Sequence, residues 1–357
     1  MNAFERQSRN LGELLRSQRR TVVVAGWSLL AVAVLLTVLA ITFGRAEISV
    51  ADVFSVVSGK LSGDSSLYDA MNPAKPAIIW DVRLPRILCA LVVGGGLAVA
   101  GVVFQALLMN PLADSYTMGV STGAAFGASV AIYLNIFAAG NLPVTLFAFA
   151  GAVLTLVVVV AIARVGGYVS SANLVIAGII VSSILTAAIT MVKSLAGEQV
   201  SAIVAWLIGS LAAKTWEHFL YGLPLVLVAC LVCYYYAEDL NVLSLGDREA
   251  RHLGIDGGRL RKILLAAGAL ITAVCVAIGG IIGFVGLIVP HMLRMLVGSD
   301  NKALIPLCGL SGGVLLLAAD TFARSVMNVE IPVGVLTTLL GGPFFVYIFR
   351  MRNKSLQ

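Results

Sequence analysis

Charge is what this chain has least of. Only 24 of its 357 residues are Lys or Arg and 18 are Asp or Glu, a charged fraction of 12%, against about 25% in ordinary soluble domains. With 59% hydrophobic residues and a mean hydropathy of +0.99, a soluble globular class is excluded. Length would suggest two or three soluble domains, but recurring apolar runs long enough to span lipid make this one membrane domain. Histidine is scarce as well. His218, His252 and His291 stand in separate, polar or interfacial positions, so no convergent catalytic set for a membrane enzyme is in view. The five cysteines (Cys89, Cys230, Cys233, Cys275, Cys308) all fall in apolar segments. They indicate neither a disulfide framework nor a metal site, and the C-x-x-C of Cys230 and Cys233 reads as chance spacing within a span. There is no G-x-x-x-x-G-K-[ST] cradle for a nucleotide. The formal charge of +6 does not point to nucleic acid, because Lys and Arg sit at the ends of apolar runs, where they set topology.

What is present is a series of apolar runs, and these predict an all-α polytopic membrane protein with about ten transmembrane helices. The spans are Thr21 to Phe43, Leu84 to Met109, Tyr116 to Asn135, Pro143 to Arg164, Ala172 to Leu195, Phe219 to Ala237, Leu260 to Ile282, Phe284 to Val297, Ala303 to Val326 and Pro332 to Arg350. The eighth is short and contains Pro290, so it should lean on its neighbours. Ser201 to Ala213 is too short to span and is predicted as a re-entrant or interfacial helix. Gly44 to Asp81, with Asn72, Pro73 and Pro76, is predicted as an extramembrane loop in which Ile48 to Val57 forms a surface helix. Small residues at helical spacing, such as Gly94, Ala98 and Gly101, should let helix backbones approach closely.

Ten spans put both termini on one side, and sixteen Lys and Arg fall on that side against eight on the other. The positive-inside rule then makes residues 1–20 and 351–357 cytoplasmic tails flanking a transmembrane domain over 21–350. The same side carries the one compact charged island, Leu243 to Gly257, reading LSLGDREARHLGIDG. Gly246 and Gly254 break it into two short helical pieces, and its alternating apolar residues suggest a docking surface.

Ionisable residues within spans usually carry the coupling charge of proton- or sodium-driven transporters, and here they are nearly missing. Asp320 and Arg324, at i and i+4, read as a local ion pair. His291 and Arg294 are placed to reach the interface rather than to bind a metal. A transporter of this composition needs an external motor, and the island is where one would push. Arg83 and Arg86, in RLPR with Pro85 in the first helical turn, run against the positive-inside bias. They either anchor the helix at the headgroups or offer guanidinium forks to carboxylates of a partner.

These stretches together resemble the permease subunits of type II ATP-binding-cassette importers, which take up iron-siderophore complexes, haem and vitamin B12. The resemblance is carried by RLPRIL (Arg83 to Leu88), FQALLMNPLADSYTMGVSTGA (Phe104 to Ala124), LSLGDREARHLGI, GGIIGFVGLIVPHMLRML (Gly279 to Leu296) and EIPVGVLTTLLGGPFFVYIF (Glu330 to Phe349). It implies that Leu243 to Gly257 forms coupling helices seated in an ATPase subunit, with Leu243, Gly246, Ala250, Leu253 and Gly254 at matching positions. It also implies that Arg83, Arg86 and Arg324 pair with glutamates of a substrate-binding protein, and that Ser170 and Ser171 lie at a cytoplasmic gate. The implied partners are a second permease, identical or paralogous, two ATPase subunits that bind the ATP and Mg, the binding protein and membrane lipid, in a bacterial inner membrane. No cofactor is implied for this chain and no enzymatic activity of its own. Ferric siderophore is the expected cargo, with haem or a corrinoid next. An ion-coupled secondary transporter is the rival class, favoured only by the short span at Pro290.

Overall fold

The computed structural model describes residues 3–44, 46–69, 71–138, 141–166, 168–325 and 330–354. Fifteen α-helices are described among them, joined by short turns and one two-residue hairpin pairing Arg164–Val165 with Tyr168–Val169. Among the described residues eight helical segments are long and apolar enough to cross a bilayer, and two shorter apolar helices, Val285–Val297 and Val333–Val346, bring the number to the ten expected.

Helix α1 (Ala3–Thr42) leads to a surface helix, α2 (Val50–Ser62), which Ser49 and Asp52 begin with a reciprocal capping box. The segment from Asn72 onward departs from the predicted loop. Asn72 Oδ1 accepts from the Ala74 N–H at 3.0 Å, α3 (Ala74–Ala77) follows, and a π-helical turn over Ile78–Arg83 runs directly into α4 (Leu84–Leu107). Pro76 is tolerated because it lies in the first turn, where its N–H is not needed. Pro85 cannot donate to the carbonyl four residues back, and the wider turn precedes it. The helix that carries the second span therefore begins at Ala74, ten residues before the predicted start of the span.

Helix α4 is the centre of the bundle, with 19 of its 24 residues buried. It packs against α9 (Trp216–Tyr235), α12 (Gly257–Gly279), α13 (Val285–Val297) and α14 (Asn301–Ser325). Glycine sets these distances. A Cβ on Gly94 would overlap the Gly312 carbonyl oxygen, and one on Gly101 would overlap that of Gly286. At Gly95 it would stand 2.6 Å from the Gly309 oxygen. The predicted stripe of Gly94, Ala98 and Gly101 is thus the face on which neighbouring backbones rest.

Around this centre lie α5 (Val120–Phe137), α6 (Val144–Ala163), α7 (Ser171–Ala196) and α15 (Val333–Lys354). Helix α5 starts four residues after the predicted Tyr116, because Asp114 Oδ1 accepts from both the Tyr116 and Thr117 N–H groups at 3.0 Å and folds that stretch as a turn. Burial pushes the Asp114 carboxyl up, against the lowering effect of those two bonds. The predicted interfacial helix is α8 (Val200–Leu207), eight residues long. The turn after it is pinned to the bundle by Ser210 N–H to Gly279 O at 2.8 Å and Gly334 N–H to Gly209 O at 3.2 Å. Two short helices, α10 (Ala237–Leu243) and α11 (Asp247–His252), form the charged island before α12.

Candidate functional site

The island is built by breaks in the helical path. Gly246 has φ +124 and ψ 158, a conformation essentially closed to residues with a Cβ, and it separates α10 from α11. Gly254, at φ +80, closes α11, and the Ile255 N–H returns to Ala250 O at 2.9 Å. Asp256 then caps α12 by accepting from the Arg259 N–H at 3.1 Å. The first helical piece ends at Leu243 instead of starting there, since Tyr236 leaves the α9 path and α10 begins at once.

Polar ties fix this end to the bundle. Arg261 Nη1 meets Asp247 Oδ1 at 2.8 Å, joining α11 to α12. Asn241 Nδ2 donates to Asp300 Oδ1 at 2.7 Å, and Asn241 Oδ1 accepts from the Asn301 N–H at 2.9 Å, joining α10 to α14. The five residues singled out for coupling therefore divide. Leu243 and Ala250 are buried within the chain, and a Cβ on Gly257 would lie 3.1 Å from Leu243 Cδ1. Gly246 and Gly254 set the path. Of the five only Leu253 presents a large apolar side chain outward, 65% exposed, and outside the set Leu245 does so too, at 69%. Leu245 is the residue that sequence reasoning left out of the set; its place on the rim of a polar segment is the signal that identifies it.

At the opposite end Arg83, Arg86 and Arg324 converge, and all three are engaged internally. Arg83 donates to the carbonyls of Ile41 and Thr42 (3.1 Å) at the end of α1, and to that of Ala46 (3.0 Å) just beyond it. Arg324 donates to Ala40 O. Arg86 grips Asp320 with Nε 2.9 Å from Oδ2 and Nη2 2.9 Å from Oδ1, and its Nη1 reaches Glu330 Oε2 at 3.2 Å. The local pair expected between Asp320 and Arg324 gives way to this bidentate one, because the two-pronged guanidinium of Arg86 meets the carboxylate face-on across α4 and α14. Glu330, whose side chain is 49% exposed, is the accessible member of the cluster.

Ser170 accepts from the Asn173 N–H at 3.1 Å and so caps α7, while Ser171 Oγ donates to Leu107 O at 2.9 Å. Ser171 thus joins the start of α7 to the end of α4, while Ser170 acts within α7. Arg294 is half-buried and lines a cleft on the island's side with Asn110, Asn241 and Ser244. From there it donates to Gln105 Oε1, and Gln105 Nε2 donates to Gly286 O (3.2 Å) and Leu287 O (3.3 Å). A glutamine within an apolar run was the available sign of this buried polar junction. Among the described residues no group of three or more His, Cys, Asp or Glu is placed to hold a metal ion.

Residues 30–351 match the FecCD transport family. The chain is 36% identical over 345 residues to the ABC transporter permease protein YvrB of Bacillus subtilis, covering 96% of both chains. It is 41% identical over 277 residues to the cobalamin import system permease protein BtuC of Halobacterium salinarum, covering 77% of this chain and 74% of that one. A solved structure of a metal-chelate type ABC transporter in an inward-facing conformation matches with a TM-score of 0.78 and 33% identity, over 91% of this chain and 98% of that one.

Proposed function

The chain belongs to the FecCD transport family, as a permease of the type II ATP-binding-cassette importers, and we propose that it forms half of a pathway for a bulky metal chelate. The observation that carries this reading is the match over nearly the whole length, to sequences and to a solved importer of metal chelates. A chelate is too large for the interior of one bundle whose central helix is packed glycine against carbonyl, so a second permease, identical or paralogous, completes the pathway. The island of α10 and α11 faces the cytoplasm with both termini and seats an ATPase subunit, which binds ATP and Mg. Its nucleotide-driven opening and closing rocks the spans between inward and outward access. The short ties from α10 and α11 to α12 and α14 suit the island to transmitting such movement. Ser170 and Ser171 stand at the cytoplasmic gate, where the start of α7 meets α4.

The arginine end receives the substrate-binding protein. Since Arg83 and Arg324 are occupied by backbone carbonyls and Arg86 by Asp320, a docking carboxylate would first replace Glu330 on Arg86. An ion-coupled mechanism finds little support: the described buried ion pair in the spans, Arg86 with Asp320, is internally neutralised.

For the cargo the reading is a ferric siderophore. A corrinoid is the second reading, favoured by the 41% identity to a cobalamin permease. The test is uptake by proteoliposomes holding the assembled importer, with ATP on the ATPase side and no ion gradient. ATP-dependent accumulation of a ferric siderophore delivered by the binding protein supports the proposal. Accumulation of cobalamin alone moves the cargo to the second reading, and uptake that requires an ion gradient instead of ATP overturns the importer mechanism.

A further inference from the structure

On the island's side of the bundle a cleft of about 970 Å³ opens between α6, the 164–169 hairpin, α11 and the first turns of α12. Its two halves differ in chemistry. One wall is apolar, made of Leu156, Val157, Val160 and Ala161 from α6 and Ala266 from α12. These residues lie within spans long enough to cross a bilayer, and Val157 is 59% exposed. The mouth is basic, with Arg164, Arg251, Arg261 and Lys262 against only Asp247 and Asp256.

Both carboxylates are already engaged. Asp247 pairs with Arg261 and Asp256 caps α12. Arg261 is itself buried, 7% exposed, and its Nε has no hydrogen-bond partner. The cleft thus holds an excess of positive charge and an unspent buried donor above an apolar floor at membrane depth. A soluble partner can cover the mouth but cannot reach the α6 wall. A phospholipid meets both halves at once: an anionic phosphate at the arginines and acyl chains along α6.

We infer that this cleft binds one anionic phospholipid, its phosphate held by Arg164, Arg251, Arg261 and Lys262, in the leaflet on the island's side. The bound lipid would fill the space between α6 and the island, and so set how firmly the coupling segment rests on the membrane domain.

The test uses the full chain, delipidated in detergent and titrated with dioleoylphosphatidylglycerol or dioleoylphosphatidylcholine, with bound lipid counted by native mass spectrometry. One phosphatidylglycerol is expected to bind at least tenfold more tightly than phosphatidylcholine. Arg164→Gln and Lys262→Gln, both on exposed side chains outside the ion pairs described, should each weaken that lipid by about fivefold. Lys60→Gln, on the surface helix α2, should leave it unchanged, and matched gel-filtration profiles establish that the variants fold. Equal retention of the two lipids by the native chain overturns the inference. So does a preference that survives both substitutions together, or complete displacement of the lipid by millimolar inorganic phosphate. Lipid selectivity is read on this chain alone, so the result is independent of which chelate the importer carries.

Discussion

Asp320→Ala is the perturbation that the structure makes most quantitative. The Asp320 side chain is 1% exposed and that of Arg86 10%, and three nitrogen–oxygen contacts of 2.9–3.2 Å join them. Two unit charges about 4 Å apart attract by about 4 kcal/mol at an effective dielectric of 20. Removing the carboxylate leaves a buried guanidinium with only the half-exposed Glu330, and a loss of about 3–5 kcal/mol is expected. Removing both charges is a different matter. Arg86→Met with Asp320→Leu replaces the pair by apolar side chains of similar bulk and should return stability to within about 1 kcal/mol of the native chain. Unfolding in mixed micelles at rising SDS fraction, followed by tryptophan fluorescence, measures both. The reasoning is refuted if Asp320→Ala lies within 1 kcal/mol of the native protein, or if the double variant is as unstable as the single one. In the assembled importer the double variant also separates roles: a fold restored without stimulation by the binding protein assigns the Arg86 charge to docking.

Two further outcomes follow from packing. Gly101→Ala places a methyl group into the Gly286 carbonyl oxygen, so α4 and α13 must part and the folded yield should fall by at least tenfold, whereas Gly63→Ala, with nothing within 4 Å of the new carbon, should lose only about 1 kcal/mol from its positive φ; fluorescence-detected gel filtration compares them. Leu245→Asp with Leu253→Asp should abolish co-purification of the ATPase subunit while the permease melts as before, and Ala250→Leu, at a fully buried position, should instead destabilise the permease itself by about 1–3 kcal/mol.

Spans were legible because lipid leaves the chain no choice: a run of some twenty apolar residues must become a helix. The charged island was legible for the converse reason, since ten charged residues between Glu238 and Lys262 cannot lie in a bilayer. Helix starts were less so. Asn72 and Pro76 carry a loop signature, yet the same residues open a helix when the chain continues as one, and only the path through Ile78–Arg83 distinguishes the two. The partner of Asp320 was beyond a local reading, because Arg86 lies 234 residues away and i, i+4 spacing offered a nearer candidate. Likewise the charges of the island drew attention to it, but which apolar residues point outward depends on how Gly246 turns the chain.

Helix α1 shows what the arginines do besides carry charge. No residue from Arg19 to Leu39 is fully buried in the chain, so it enters lipid by its own hydrophobicity, with Val22, Ala25, Leu29 and Leu36 resting half-buried on the bundle. Its polar anchorage, however, lies at one end, where Arg83 and Arg324 take the carbonyls of Ala40, Ile41 and Thr42 at the negative pole of the helix. Insertion and placement are therefore separate events for this helix, governed by different residues and lost separately. A chain stripped of both guanidiniums would still thread α1 across the bilayer, but held against α14 by apolar packing alone, and the surface that α1 and α2 frame would lose its fixed outline.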